Sequence, residues 1–148
     1  MNLRKGQAGI LLIEVLVTVV IASFGLLGVA GVILNSLKVN ESSYTRAQAV
    51  WLANDIIDRM RANRGAAEGA TLPYNFALGN TCLVPDPSTV PGQDVNQWLC
   101  TVANTLPSGQ GSVNLASATK KVTVTVQWDD SRVSGGSSAQ QFVVETRL

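Results

Sequence analysis

The chain contains no histidine. That removes the residue on which Ser-His-Asp triads, Cys-His dyads and most zinc sites depend. Only two of its 148 residues are cysteine, and no Cys-x-x-Cys occurs, which argues against a redox-active pair. There is no Gly-x-Ser-x-Gly, so the nucleophile elbow of a hydrolase is missing too. Charged residues make up 14% of the chain and nearly cancel, leaving a formal net charge of +1. The basic residues form no stripe, and nucleic-acid binding is without support. No proline precedes Pro73, so nothing of that kind breaks a helix in the first half. These absences leave no catalytic constellation, no cofactor motif and no metal-ligand set. Asp129-Asp130 offers two adjacent carboxylates, but calcium takes 6–8 oxygen ligands, and a hydrophilic turn accounts for the pair.

What is present is concentrated at the N-terminus. Arg4 and Lys5 precede Gly6-Gln7-Ala8-Gly9, and a long apolar run follows. From Val15 to Leu37 no residue carries a charge, and Glu14 is the only charge between Lys5 and Lys38. A helix of ~20 apolar residues crosses a bilayer. An ionisable group within the hydrocarbon costs ~2.5–3.5 kcal/mol on the most lenient scale, so Glu14 needs a partner. Three readings fit this stretch. A secretory signal removed whole explains the basic start, but its apolar region is typically 7–15 residues. A plain uncleaved anchor explains the length and gives Glu14 no purpose. A leader cut after Gly9, on the charged side of the run, explains both.

The residues Arg4, Lys5, Gly9, Ile10 and Glu14, with the block Leu12-Ile13-Glu14-Val15-Leu16, resemble the class III leader of type IV pilins. The chain departs from that pattern at Ile10-Leu11, where the family usually has Phe followed by Thr or Ser. The resemblance implies that a prepilin peptidase cleaves between Gly9 and Ile10 and that Ile10 is then N-methylated. The physical sense of Glu14 follows from such a cut. The new α-amine of Ile10 stays positive when methylated, and the carboxylate of a staggered neighbouring helix attracts it strongly in low dielectric. Glu14 is thus the expected assembly residue.

Further pieces resemble one branch of that family, the minor pilins called PilV or type IV pilus modification proteins. They are Gly25-Leu26-Leu27-Gly28, Ala53-Asn54-Asp55, Asp58-Arg59-Met60-Arg61-Ala62-Asn63, Asp94 to Trp98, Leu106-Pro107, and Val122 to Trp128 followed by Asp129. The resemblance implies a low-abundance subunit that helps initiate pilus assembly, with the pilus tip as its place. Its implied partners are the inner membrane, the prepilin peptidase, other minor and major pilins and the pilus assembly machinery. It would pass the inner membrane once with its head in the periplasm, then reach the pilus or cell surface. A pseudopilin of a type II secretion system and a tip adhesin are the alternatives.

The remaining pattern implies an α+β, pilin-like fold in three parts: a cleaved leader over 1–9, a long helix over 10–64 and a head over 65–148. The head is about 85 residues, small for a self-sufficient core. The second half of the helix is amphipathic: Ala49, Leu52, Ala53, Ile56, Ile57 and Met60 share one face. That face is expected to dock on the head. Asp55 with Arg59, and Asp58 with Arg61, have ion-pair spacing, and Gly65 suits the residue just past the helix end. Gly25, Gly28 and Gly31 mark either close helix packing or a point of local melting.

Residues 65–93 contain four prolines, Pro73, Pro85, Pro87 and Pro91, and are expected to form loop, anchored by Tyr74 and Phe76. Asp94 reads as the cap of a short helix over 95–106, though a strand competes because Trp98, Cys100 and Val102 alternate. Ser112–Ala116, Lys121–Trp128 and Gln140–Arg147 read as an antiparallel meander, with Val122, Val124, Val126, Trp128, Phe142 and Val144 inward. Cys82 and Cys100 both lie beyond the apolar run, away from the basic flank that marks the cytoplasm. In an oxidising compartment they are expected to pair, the alternative being two reduced thiols.

Overall fold

The computed structural model describes residues 12–80, 82, 88–133 and 135–148. Its elements are α1 (Leu12–Ala62), α2 (Arg64–Ala67), β1 (Phe76–Asn80), α3 (Val90–Thr105), β2 (Gln110–Ala116), β3 (Lys121–Trp128) and β4 (Gln140–Arg147). The chain divides into two units, one ending at Lys38 and one running Val39–Leu148. This is the expected α+β pilin-like architecture: a long N-terminal helix whose second half packs on a small antiparallel sheet.

In the first unit α1 exposes its apolar side chains all round. The helix is long and apolar enough to cross a membrane. Two hydroxyls in this stretch bond back to their own helix: Thr18 Oγ1 donates to the Val15 carbonyl at 2.8 Å and Ser23 Oγ to the Val19 carbonyl at 2.7 Å. Such back-bonding satisfies these two donors in an apolar surround.

In the second unit the amphipathic half of α1 buries Ala49, Leu52, Ala53, Ile56, Ile57 and Met60. This is the face that the i, i+3, i+4 spacing marks. The sheet order is β1-β2-β3-β4, antiparallel throughout. β3 presents Val122, Val124, Val126 and Trp128 to the core on alternate residues. Val95, Trp98, Leu99 and Val102 of α3 complete the cluster, with Leu106 behind them. The indole N–H of Trp98 donates to the Leu52 carbonyl at 2.7 Å, so α3 is keyed to α1 by a buried bond as well as by packing.

Several sequence expectations need correction. α1 ends at Ala62, and Gly65 lies inside the short α2 rather than just past the long helix. Asn63 makes the break, with φ −114° and ψ 42°. Residues 65–93 are not all loop, because β1 and the start of α3 fall within them. Asp94 is not a cap. The helix begins five residues earlier than expected, at Val90, and its cap is Thr89, whose side chain accepts the Gly92 N–H at 3.2 Å. Pro91 lies in the first turn, where a missing N–H leaves nothing unsatisfied. The strand alternative for this segment falls with the helix. β2 starts at Gln110 rather than Ser112.

Gly111 is required by contact. A side chain there would run into the Trp98 ring, so β2 and α3 approach closely only because this residue has none. The expected bounds of β3 and β4 are the observed ones.

Candidate functional site

The residues expected to carry function fall into two groups. Gly9 and Ile10, the expected cleavage and methylation sites, lie outside the described residues. Glu14 is described. It sits in the first turn of α1 and is exposed among Leu12, Ile13, Val15 and Leu16, which are exposed as well. No ion pair reaches it among the described residues. Gly25, Gly28 and Gly31 have open space where a side chain would stand.

Cys82 and Cys100 form a disulfide, with Cα atoms 4.4 Å apart. The bridge ties the segment after β1 to the middle of α3. It closes a sequence separation of 18 residues, and loops near that size contribute ~3 kcal/mol in the chain-entropy model.

A polar cluster that the periodicity alone did not reveal joins α1, the segment before β1, and α3. Arg59 pairs with Asp55 at 3.0 Å, as the spacing implies, and also reaches Asp94 at 3.4 Å and the Gln97 side chain at 2.9 Å. Tyr74 donates its hydroxyl proton to Asp94 at 2.6 Å and accepts from the Asn63 side chain at 3.2 Å. Burial and the neighbouring Asp94 carboxylate push the Tyr74 hydroxyl up to about 12. Tyr74 therefore remains a proton donor across the physiological range. Asp94 lies five residues past the cap and reaches Arg59; it looked like a helix start in sequence because it directly precedes the helical spacing of Val95, Trp98 and Leu99. The available signal was a carboxylate one position before the apolar stripe of α3, which puts it at the edge of the buried face.

A second cluster holds Asp130 and Arg132, just past β3, against α1. Asp130 is only 6% exposed. It accepts from the Ser42 hydroxyl at 2.8 Å and faces Arg46 at 3.7 Å. Arg132 and Glu41 pair alongside at 3.7 Å. Asp129 instead accepts the Ser131 N–H at 2.9 Å, and the Ser131 hydroxyl together with that N–H holds its carboxyl below the usual carboxylate range. The two adjacent aspartates thus point to different partners within the fold. Among the described residues no group of three or more His, Cys, Asp or Glu is placed to hold a metal ion.

Glu68 at the end of α2 bonds Arg64 at 2.6 Å and Lys120 at 3.1 Å, and both cations lower its pKa. Lys121 does the same for Glu145 across β3 and β4. A shallow depression of about 310 Å³ lies over β1 and β2, lined by Asn75, Phe76, Ala77, Val113 and Asn114. Its lining has no titratable side chain.

No family model, no curated protein and no solved structure matches this chain.

Proposed function

We propose that this protein is a pilin-like subunit of a membrane-assembled filament, and specifically a minor pilin that helps initiate type IV pilus assembly at the pilus tip. The observation that carries the reading is the form of α1. It is one helix of 51 residues whose first half exposes apolar side chains on every side and whose second half is buried against a small head. A subunit built this way is held by a bilayer before assembly and by neighbouring helices after it.

Glu14 supports the same reading. It is the single charge of the apolar half, and a carboxylate in hydrocarbon is stable only with a counter-charge. The counter-charge we assign is the α-amine of Ile10 on an adjacent subunit, released by cleavage after Gly9. The partners in this reading are the inner membrane, a prepilin peptidase, other pilins and the assembly machinery. The disulfide fits a head on the oxidising side of that membrane.

N-terminal sequencing and mass measurement of the mature protein test the processing. The expected first residue is Ile10, heavier by one methyl group. A mature chain that begins at Met1, or beyond Leu37, overturns the reading. Deletion is expected to reduce surface pili and twitching. Intact pili with failed secretion would assign the chain to a type II secretion pseudopilus instead. Glu14→Ala is expected to leave the subunit inserted and folded but unincorporated.

A further inference from the structure

The sheet has two outer strands, and they are unlike. β1 is five residues long, its register against β2 shifts between Phe76 and Asn80, and Gly79 within it has φ 103°. A short, irregular edge is a poor template for another strand. β4 is eight residues long and pairs with β3 one for one, from Trp128 with Gln140 to Lys121 with Arg147. It has no proline and no bulge.

The direction of its free backbone groups follows from the ladder. The Leu148 N–H donates to the Lys120 carbonyl at 3.2 Å, continuing the β3–β4 register. In an antiparallel pair the bonding residues alternate. Even-numbered residues of β4 therefore face β3, and the N–H and C=O groups of Gln141, Val143, Glu145 and Arg147 point away from the sheet; among the described residues the one bond to them is from the Thr146 hydroxyl to the Arg147 carbonyl at 3.5 Å.

The side chains show the same incompleteness. Val124 and Val126 of β3 are buried, whereas their inner-face neighbours Val144 and Phe142 on β4 pack against the core but stay partly exposed. Val143 on the opposite face is 51% exposed. Glu145 has Lys121 as its partner, whereas Arg147 has no ion pair among the described residues.

We propose that the free edge of β4 is a strand acceptor. Its occupant is an extended segment of a partner protein, antiparallel to β4. Every second residue of that segment is apolar and lies over the Phe142–Val144 side, and an acidic side chain stands opposite Arg147. Main-chain bonds to residues 141, 143, 145 and 147 supply affinity, and the apolar alternation with the acid supplies register. A second copy of this chain is a poor occupant. The two-fold that pairs β4 with β4 antiparallel reverses directions in the sheet plane, so residues 39–62 of the two copies would run oppositely. Two chains inserted in one bilayer enter their heads in the same direction. The acceptor edge lies wholly within the Val39–Leu148 unit and does not need the filament reading, whereas the argument against a second copy rests on both chains crossing one bilayer.

The test uses the full chain in detergent micelles and a synthetic peptide of residues 121–128 carrying Lys121→Asp. In the β3 register this peptide sets valines beside Phe142, Val144 and Thr146 and its aspartate beside Arg147. Amide hydrogen exchange at Gln141, Val143, Glu145 and Arg147 is expected to be fast without peptide and at least ~10-fold slower with it. The peptide with the original Lys121 is expected to bind at least ~3-fold more weakly, from like charge opposite Arg147.

Val143→Pro removes an N–H that points outward, so the head is expected to keep its melting temperature and lose peptide protection. Should that variant unfold, Glu145→Pro makes the same cut at the next outward N–H. Unchanged exchange in the presence of peptide overturns the proposal, as does equal protection in the folded proline variant. Slow exchange at these four amides without peptide, in a chain that sediments as a dimer, replaces the partner strand by a second copy and also overturns it.

Discussion

The two halves of α1 share a backbone conformation and differ in what surrounds them. Residues 12–37 expose apolar side chains on every face, while from Ser42 to Met60 the buried residues repeat at i, i+3, i+4. The difference teaches that helix formation is not what separates the halves. Both satisfy their backbone bonds internally, as a helix must in either solvent. The second half also carries the core of a folded unit, and the first half carries an exposed apolar surface long enough to cross a membrane. A substitution in one half is therefore expected to act on folding, and in the other on insertion or assembly.

The largest effect is expected where α1 meets α3. Trp98→Ala empties a buried site and removes the bond to the Leu52 carbonyl, so it should cost ~3–5 kcal/mol in urea unfolding of the detergent-solubilised chain. Leu26→Ala, in the exposed apolar half, should leave the same transition unmoved. Equal losses from the two would erase the contrast between the halves.

Reduction of the Cys82–Cys100 bridge comes next, with an expected loss of ~3 kcal/mol, read as a lower urea midpoint. Gly111→Ala is expected to cost ~1–3 kcal/mol, because the added carbon meets the Trp98 ring and either β2 or α3 has to shift. An unchanged melting temperature would mean that the close approach of β2 to α3 is relaxed in solution.

The smallest effect is expected at Tyr74. Tyr74→Phe should cost ~1 kcal/mol, since Asp94 retains Arg59 as a partner. The pH dependence has a definite sign. The unfolded tyrosine titrates near 10.0 and the folded one at about 12. Between those values the folded state binds more protons, so stability present below pH 10 is lost as pH rises towards 12. Glu68 and Glu145 act at the other end. Their folded values lie below 4.5, so their contribution is complete above that pH and is lost as pH falls through the lowered values. Tyr74→Phe should flatten the alkaline limb and leave the acid limb unchanged, as measured by melting temperature against pH.

Much of the fold was legible in the chain. The buried residues of α1 and the bounds of β3 and β4 followed from periods of 3.6 and 2, because in those segments the core touches one face only. The segment between residues 65 and 93 was not legible. Its prolines argue for loop, yet Pro91 sits in a first helical turn, and β1 carries no alternation strong enough to mark it. The Arg59, Asp94 and Tyr74 cluster was missed for a related reason. Its members are far apart in the sequence, and each alone reads as something local: Tyr74 as a loop anchor, Asp94 as a helix cap and Arg59 as the partner of Asp55.

By itself the sequence determined that one uncharged run long enough to span a bilayer carries a lone carboxylate at its start, and that an amphipathic helix and an antiparallel meander follow. Those are local facts, set by spacing and side-chain type. Only the tertiary structure decided which face of α3 meets β2, where Asp94 and Asp130 find their partners, and that β4 rather than β1 presents a regular open edge. Pairing and register depend on how distant segments fill one shared volume, and no window of neighbouring residues contains that information.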